Sequence, residues 1–270
     1  MIFSNKIFKV IFPFHSRCLP AGWVGICLWQ IILSGCVSLE YNVGTHQRDI
    51  IFYSTEKEIS LGENLAKKIS SSFKLSSHPY YIERINRIGK RIVEVCDRKE
   101  IRYYFYVIEE DKKNAFSIPG GYVYVYKGLM DILNDEELSF VIAHEVAHIV
   151  SRHAIKKLQA VLGSNILIIA SASTEDFRFA KGVSLALAQI FAGYSQKDEF
   201  CADELGVKYM QRAGFNPKVA LEVLEKLYQE DKKNIRSFPY LRTHPFTAER
   251  KRYIKEVLGL SLDVEDYINF

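Results

Sequence analysis

The run Phe140-Val141-Ile142-Ala143-His144-Glu145-Val146-Ala147-His148-Ile149-Val150 sets two histidines four residues apart in an apolar helical segment. On a helix such positions differ by about 40° around the axis, so His144 and His148 project side by side. Two imidazoles on one face can take two corners of a zinc tetrahedron, leaving room for a third ligand and a water. Glu145 lies about 100° from His144 but within about 60° of His148, so it flanks the metal without needing to bind it. From there its carboxylate can take a proton from a metal-bound water, whose pKa falls toward about 7. A chance match on a surface helix is the competing reading. The apolar neighbours argue for a buried helix instead, where two histidines and a carboxylate without partners would cost several kcal/mol. A divalent ion supplies the partners. The segment therefore predicts a hydrolytic centre with one Zn2+ per chain and Glu145 as general base.

The third ligand is not decided by this helix. A histidine six residues after His148, preceded by a glycine, is one known arrangement, but the chain has Ser151 and Ala154 at those places. His153 is one place short; on a continuous helix it points elsewhere and reads as a surface histidine. A carboxylate from a second helix remains. Glu199 and Asp203 stand at i and i+4 on one face, where Glu199 could complete the shell and Asp203 accept an imidazole N–H. Ordinary solvated charges at a helix start explain the same pair equally well. Cys201 lies opposite Glu199 on the helical wheel, which disfavours a thiolate ligand.

Working outward, Asp135 reads as the N-cap of the histidine helix, with Glu136 and Glu137 in its first turn. The helix is expected to run through His153 to about Leu162. Two amphipathic helices precede it, Glu56 to Phe73 and Tyr80 to Cys96. Ile101 to Glu109 reads as a strand, Gly120-Gly121 as a turn, and Tyr122 to Tyr126 as a second strand. Downstream, the apolar stretches Ile166 to Ala172 and Val183 to Ala192 are too short to cross a bilayer and read as core helices or a membrane-facing lid. Helices follow from Glu199 to Arg212, from Pro217 to near Glu230, and after Pro245. The expected fold class is α+β, mainly helical, with a small β-sheet beside the histidine helix. With 270 residues, 48% of them hydrophobic, the chain can bury one core. A net charge of +4 without long single-sign blocks gives nucleic-acid binding no support.

At the N-terminus, Lys6, Lys9 and Arg17 precede an uncharged stretch, Trp23 to Leu33, shorter than the roughly 20 apolar residues of a spanning helix. Leu33-Ser34-Gly35-Cys36 follows, and small residues directly before a cysteine resemble the lipobox of bacterial lipoproteins. The resemblance implies a signal peptide over 1–35, acylation of Cys36, and a tether over 36–54, where Glu40 to Thr55 is polar and unpatterned. An uncleaved membrane anchor, or a start codon assigned upstream of a plain signal peptide, is the alternative. Either reading puts the domain outside the cytoplasm, held at a membrane and facing the periplasm in a two-membrane cell. Val37, standing where Asp would follow the cysteine, favours the outer membrane. Cys96 and Cys201 remain after processing; a disulfide is open to an exported pair, and two buried unpaired thiols are the favoured reading.

Several segments together resemble peptidase family forty-eight, the HtpX and CAAX-prenyl-protease type of gluzincin, and within it the exported bacterial lipoprotein branch. The likeness rests on His144-Glu145-Val146-Ala147-His148, on Glu199 with Asp203, on Glu58-Ile59-Ser60-Leu61-Gly62 and on Ile85-Asn86-Arg87-Ile88-Gly89. It continues in Asn114-Ala115-Phe116-Ser117-Ile118-Pro119-Gly120-Gly121 and in Thr243-His244-Pro245 followed by Glu249-Arg250. It implies a zincin-like domain over 55–260, with 261–270 as a tail, and zinc held by His144, His148 and Glu199 with Asp203 beside them. Asn114, Ala115, Phe116, Gly120, Gly121 and Tyr122 become candidate substrate contacts, with Tyr122 to Tyr126 offering a free strand edge to an extended peptide. His244 is either a donor to the oxyanion, a gate at the open metal position, or a capping residue before Pro245. Arg250 steadies that loop or a nearby carboxylate. The implied function is a zinc endopeptidase acting on misfolded or envelope polypeptides. A chaperone-like envelope assembly or quality-control factor, with proteolysis secondary, is the alternative, against which the intact Glu145 speaks.

Overall fold

The computed structural model describes residues 38–42, 47–51, 53–161, 177–233, 240, 243–245 and 248–267. The expectations for the signal segment, for Cys36 and for Ile166 to Ala172 lie outside them. The stretch read as an unpatterned tether instead holds two antiparallel strands, β1 (Ser38–Asn42) and β2 (Gln47–Ile51), with Ser38 opposite Ile51. Leu39 and Tyr41 alternate with polar residues, a period-two signal that five residues carry weakly. Ile51 and Tyr53 are buried in the core.

Helices α1 (Thr55–Ser72) and α2 (Pro79–Val93) follow, the second opened by a proline whose missing N–H costs nothing at that position. Three strands come next: β3 (Tyr104–Ile108), β4 (Ala115–Ile118) and β5 (Tyr122–Tyr126). Their order is β3-β5-β4, with β3 parallel and β4 antiparallel to β5. This corrects the expectation of a free edge on Tyr122 to Tyr126. That strand is central; the edges are β3 and β4, and β4, the one beside the histidine helix, is only four residues long and too mixed in composition to stand out beforehand.

The sheet separates two cores. Val123 and Val125 of β5 and Ala115 of β4 face one apolar cluster, whereas Tyr122, Tyr124, Tyr126, Phe116 and Ile118 face the other. After the short helix α3 (Lys127–Ile132) comes α4 (Asp135–Val150), which carries the two histidines through the first core. Its N-cap is Asn134, not Asp135. The Asn134 side chain accepts from Glu137 N while the Glu137 carboxylate accepts from Asn134 N, a reciprocal cap. Asp135 instead pairs with Arg84, whose guanidinium also donates to Met130 O and Leu133 O and so ties α2 to the start of α4.

The histidine helix does not run on to Leu162. It ends at Val150, Arg152 adopts φ 53°, and a new helix, α5, occupies residues 153–161. Then come α6 (Phe177–Phe191), α7 (Gln196–Arg212, capped by Ser195), α8 (Val219–Lys233) and α9 (Ala248–Val257), with a 3-10 turn at Val264–Tyr267. Val183, Ala186, Leu187 and Ile190 of α6 are buried against the tyrosine face of the sheet, so this stretch is a core helix. Among the described residues no helix is long and apolar enough to cross a membrane. Cys96 and Cys201 are both free and buried. Helix α7 packs closely along α4: a Cβ on Gly206 would stand 3.4 Å from the backbone of His144.

Candidate metal centre

Helix α4 presents His144 and His148 one turn apart with their Nε2 atoms 3.0 Å from each other. Helix α7 brings the Glu199 carboxylate against both, Oε2 at 3.4 Å from His144 Nε2 and Oε1 at 3.5 Å from His148 Nε2. The turn before α9 brings His244, whose Nδ1 lies 3.2 Å from His144 Nε2 and 3.1 Å from Glu199 Oε1. All four are buried, and their donor atoms lie within 4.8 Å of one another. Metal bonds of about 2.0–2.2 Å at tetrahedral angles would separate neighbouring donors by roughly 3.3–3.6 Å. The Glu199–imidazole spacings fall in that range, and those of His144 to His148 and to His244 lie a few tenths of an ångström below it. Imidazole nitrogens and carboxylate oxygens are also the donor set zinc takes.

Around these donors sits a supporting layer. Asp203 Oδ1 is 3.0 Å from His144 Nδ1, while both Asp203 oxygens accept from Arg250 at 2.7 Å. Arg250 also reaches Glu199 Oε2 at 2.9 Å and donates to the carbonyls of His244 and Pro245. The two roles considered for Arg250 are thus filled by one buried guanidinium. Burial, the largest single influence, would raise the Asp203 carboxyl pKa, but the charge and hydrogen bonds of Arg250 together with His144 outweigh it and hold the group below the usual carboxylate range.

Glu145 points to the same centre from the side. Ser117 Oγ donates to its Oε2 at 2.8 Å, and His244 Nε2 lies 3.2 Å from its Oε1. Burial would raise this carboxyl pKa, yet the facing His244 holds it at about 2. Burial likewise disfavours charge on His244, but Glu199 and Glu145 raise its pKa to about 10, making it a cation between two carboxylates in the metal-free chain.

The candidate substrate residues are spread along the sheet. Ser117 faces Glu145, so its neighbour Phe116 lies on the opposite face of β4, packed on Tyr124 and Phe191. Ala115 enters the core under α4, and the Asn114 side chain accepts from Ala115 N. Gly120 and Gly121, at φ 80° and 96°, form the turn where β4 passes close to Gly62 of α1. Tyr122 stacks on Tyr104.

Four residues at the centre were not assigned to it by sequence. Ser117 lay inside a segment already noted, and recognising β4 as a strand would have turned it toward α4. Tyr194 stacks on His148 with ring centroids 4.1 Å apart, and Tyr240 on His244 at 4.6 Å. His153, read as a surface histidine, is buried, with its Nδ1 2.8 Å from His148 Nδ1. The left-handed turn at Arg152 breaks the helical phase on which the surface reading depended.

Comparison with known sequences agrees with this geometry. The profile of peptidase family M48 matches residues 79–258. The Beta-barrel assembly-enhancing protease of Escherichia coli (strain K12) is 28% identical over 209 residues, which cover 73% of this chain and 43% of that protein. The Mitochondrial metalloendopeptidase OMA1 of Schizosaccharomyces pombe is 27% identical over 224 residues, 82% of this chain and 66% of that one. Metalloprotease LoiP of Escherichia coli (strain K12) is 25% identical over 240 residues, 83% and 91% respectively. The chain thus spans less than half of the first of these and most of the last.

Proposed function

The chain belongs to peptidase family M48, and from that premise we propose that it is a zinc-dependent endopeptidase whose metal is held by His144, His148 and Glu199. The observation that carries this is the buried cluster of two imidazoles and a carboxylate at metal-ligand spacing, with a second carboxylate, Glu145, beside it but outside the ligand set. Zinc, when bound, supplies Lewis acidity and lowers the pKa of a water toward about 7. Glu145 acts as the general base: ionised and steadied by Ser117, it accepts the proton from the attacking water and returns it to the leaving nitrogen. Asp203 and Arg250 orient His144 and Glu199.

His244 has two parts open to it. Its Nδ1 lies at ligand distance from the cluster, which suits a gate, and its Nε2 lies beside Glu145, which suits a donor to the developing oxyanion. Substrate binds by strand addition to β4, whose outer edge carries no strand among the described residues. Backbone pairing there makes binding tolerant of sequence. The substrates are misfolded or envelope polypeptides, and the Leu33-Ser34-Gly35-Cys36 segment supports an exported protein anchored by lipid at Cys36, facing the periplasm at the outer membrane. Substituting Cys36 by alanine should then leave an unprocessed, unacylated precursor.

The name of the relative from Escherichia coli, Beta-barrel assembly-enhancing protease, favours a second reading in which assembly or quality control comes first and proteolysis second. One variant tests both. Glu145→Gln should keep one zinc per chain by elemental analysis and lose casein cleavage by at least about 100-fold. Persistent cleavage would remove Glu145 as base. Full complementation by that variant in cells would favour the assembly reading.

A further inference from the structure

Arg152 is the one non-glycine residue at positive φ among the described residues, at 53°. Such backbone is disfavoured for a residue with a Cβ and persists only where surroundings impose it. Here a buried ion cluster does so. Arg152 Nε lies 2.8 Å from Glu58 Oε2, and its guanidinium donates to Tyr53 O. Glu58 also receives both terminal nitrogens of Arg98, which in turn donates to Ile149 O in the last turn of α4.

The turn has a chemical consequence. On an unbroken helix, residue 153 would point about 140° away from residue 148. With the turn, His153 Nδ1 comes within 2.8 Å of His148 Nδ1, both rings being buried. Two ring nitrogens that close share one proton, so one donates and the other accepts. His148 Nε2 faces His144 and Glu199, the metal side. A ligating Nε2 carries a lone pair, which leaves the His148 proton on Nδ1. His153 Nδ1 is therefore the acceptor, and its own proton sits on Nε2, on the side of Asp198 Oδ1 at 3.6 Å. His144 has a carboxylate, Asp203, in the equivalent place.

We propose that His153 is the positioning residue of His148, accepting its Nδ1–H and so fixing the tautomer and ring orientation with which His148 holds the metal. This rests on the zinc reading above. The two ligand imidazoles are then oriented by unlike partners: an anion clamped by Arg250 for His144, and a neutral ring delivered by a left-handed turn for His148. Residues that orient metal-ligating histidines typically account for about 10–100-fold in metal affinity.

The test uses the full chain, with zinc affinity measured by chelator competition and melting temperature of the metal-free forms measured alongside. His153→Ala should weaken zinc by about 10–100-fold. His153→Asn, whose amide oxygen can stand where Nδ1 accepts, should recover most of that loss. Cobalt substitution should show shifted absorption bands in His153→Ala and near-native bands in His153→Asn. Wild-type affinity in His153→Ala would overturn the proposal. So would equal weakening in both variants together with an equal fall in metal-free melting temperature, which marks a packing role. If His153→Ala does not fold, the proposal stands or falls on whether His153→Asn retains near-native zinc affinity and bands. Wild-type protein that takes up no zinc would sink the zinc reading itself, an outcome separate from all of these.

Discussion

Ser117 and Arg250 do different kinds of work on the same centre. The Ser117 hydroxyl donates to Glu145, which is not among the metal-ligand candidates. Ser117→Ala should therefore leave zinc content at one per chain and lower turnover by roughly fivefold, the worth of about 1 kcal/mol of orientation. Steady-state kinetics with metal analysis would check this, and unchanged turnover would free Glu145 of any need for the hydroxyl. Arg250 is fully buried and pairs with two buried carboxylates. Arg250→Met removes the cation but leaves Asp203 and Glu199 without it, and breaking such a pair typically costs about 3–5 kcal/mol. Urea denaturation should show that loss. A cost under about 1 kcal/mol would mean that the carboxylates are neutralised in some other way.

At the scale of elements, the position of β4 depends on how closely α1 approaches its turn. A Cβ on Gly62 would stand 2.1 Å from the carbonyl oxygen of Pro119. Gly62→Ala should raise helix propensity by about 0.5–1 kcal/mol, but overpacking costs about 1–3 kcal/mol. The obstacle is backbone, which cannot rotate away, so the clash should win. The variant should melt earlier and, because Ser117 sits two residues before Pro119, turn over more slowly. A more stable variant would show that α1 can slide without moving β4. The cap at Asn134 is simpler: Asn134→Ala should cost about 1 kcal/mol by equilibrium unfolding.

For the molecule as a whole, the ligand candidates come from α4, α7 and the turn before α9, so metal binding joins distant parts of the chain. A ligand bound only by the folded state, at about a thousand times its Kd, adds about 4 kcal/mol of stability. Chelation should accordingly lower the melting temperature by several degrees, and added zinc should restore it. A scan indifferent to both would contradict a site built across these elements.

Much of this architecture was carried by local pattern. The side-by-side projection of His144 and His148 follows from the 3.6-residue period, which any helix obeys, and the amphipathic spacing of Ile85, Ile88 and Ile92 marked α2 as a helix facing the core. What local pattern could not carry is anything decided by contacts distant along the chain. His244 reaches His144 across 100 residues, and Arg250 reaches Asp203 across 47. The central place of β5 came from pairing with β4, a strand too short to announce itself. The burial of His153 came from a turn held open by Glu58 in α1, against the backbone preference of Arg152. Periodicity is a property of the backbone alone, whereas strand order and a left-handed arginine are set by what the folded chain packs and pairs against them.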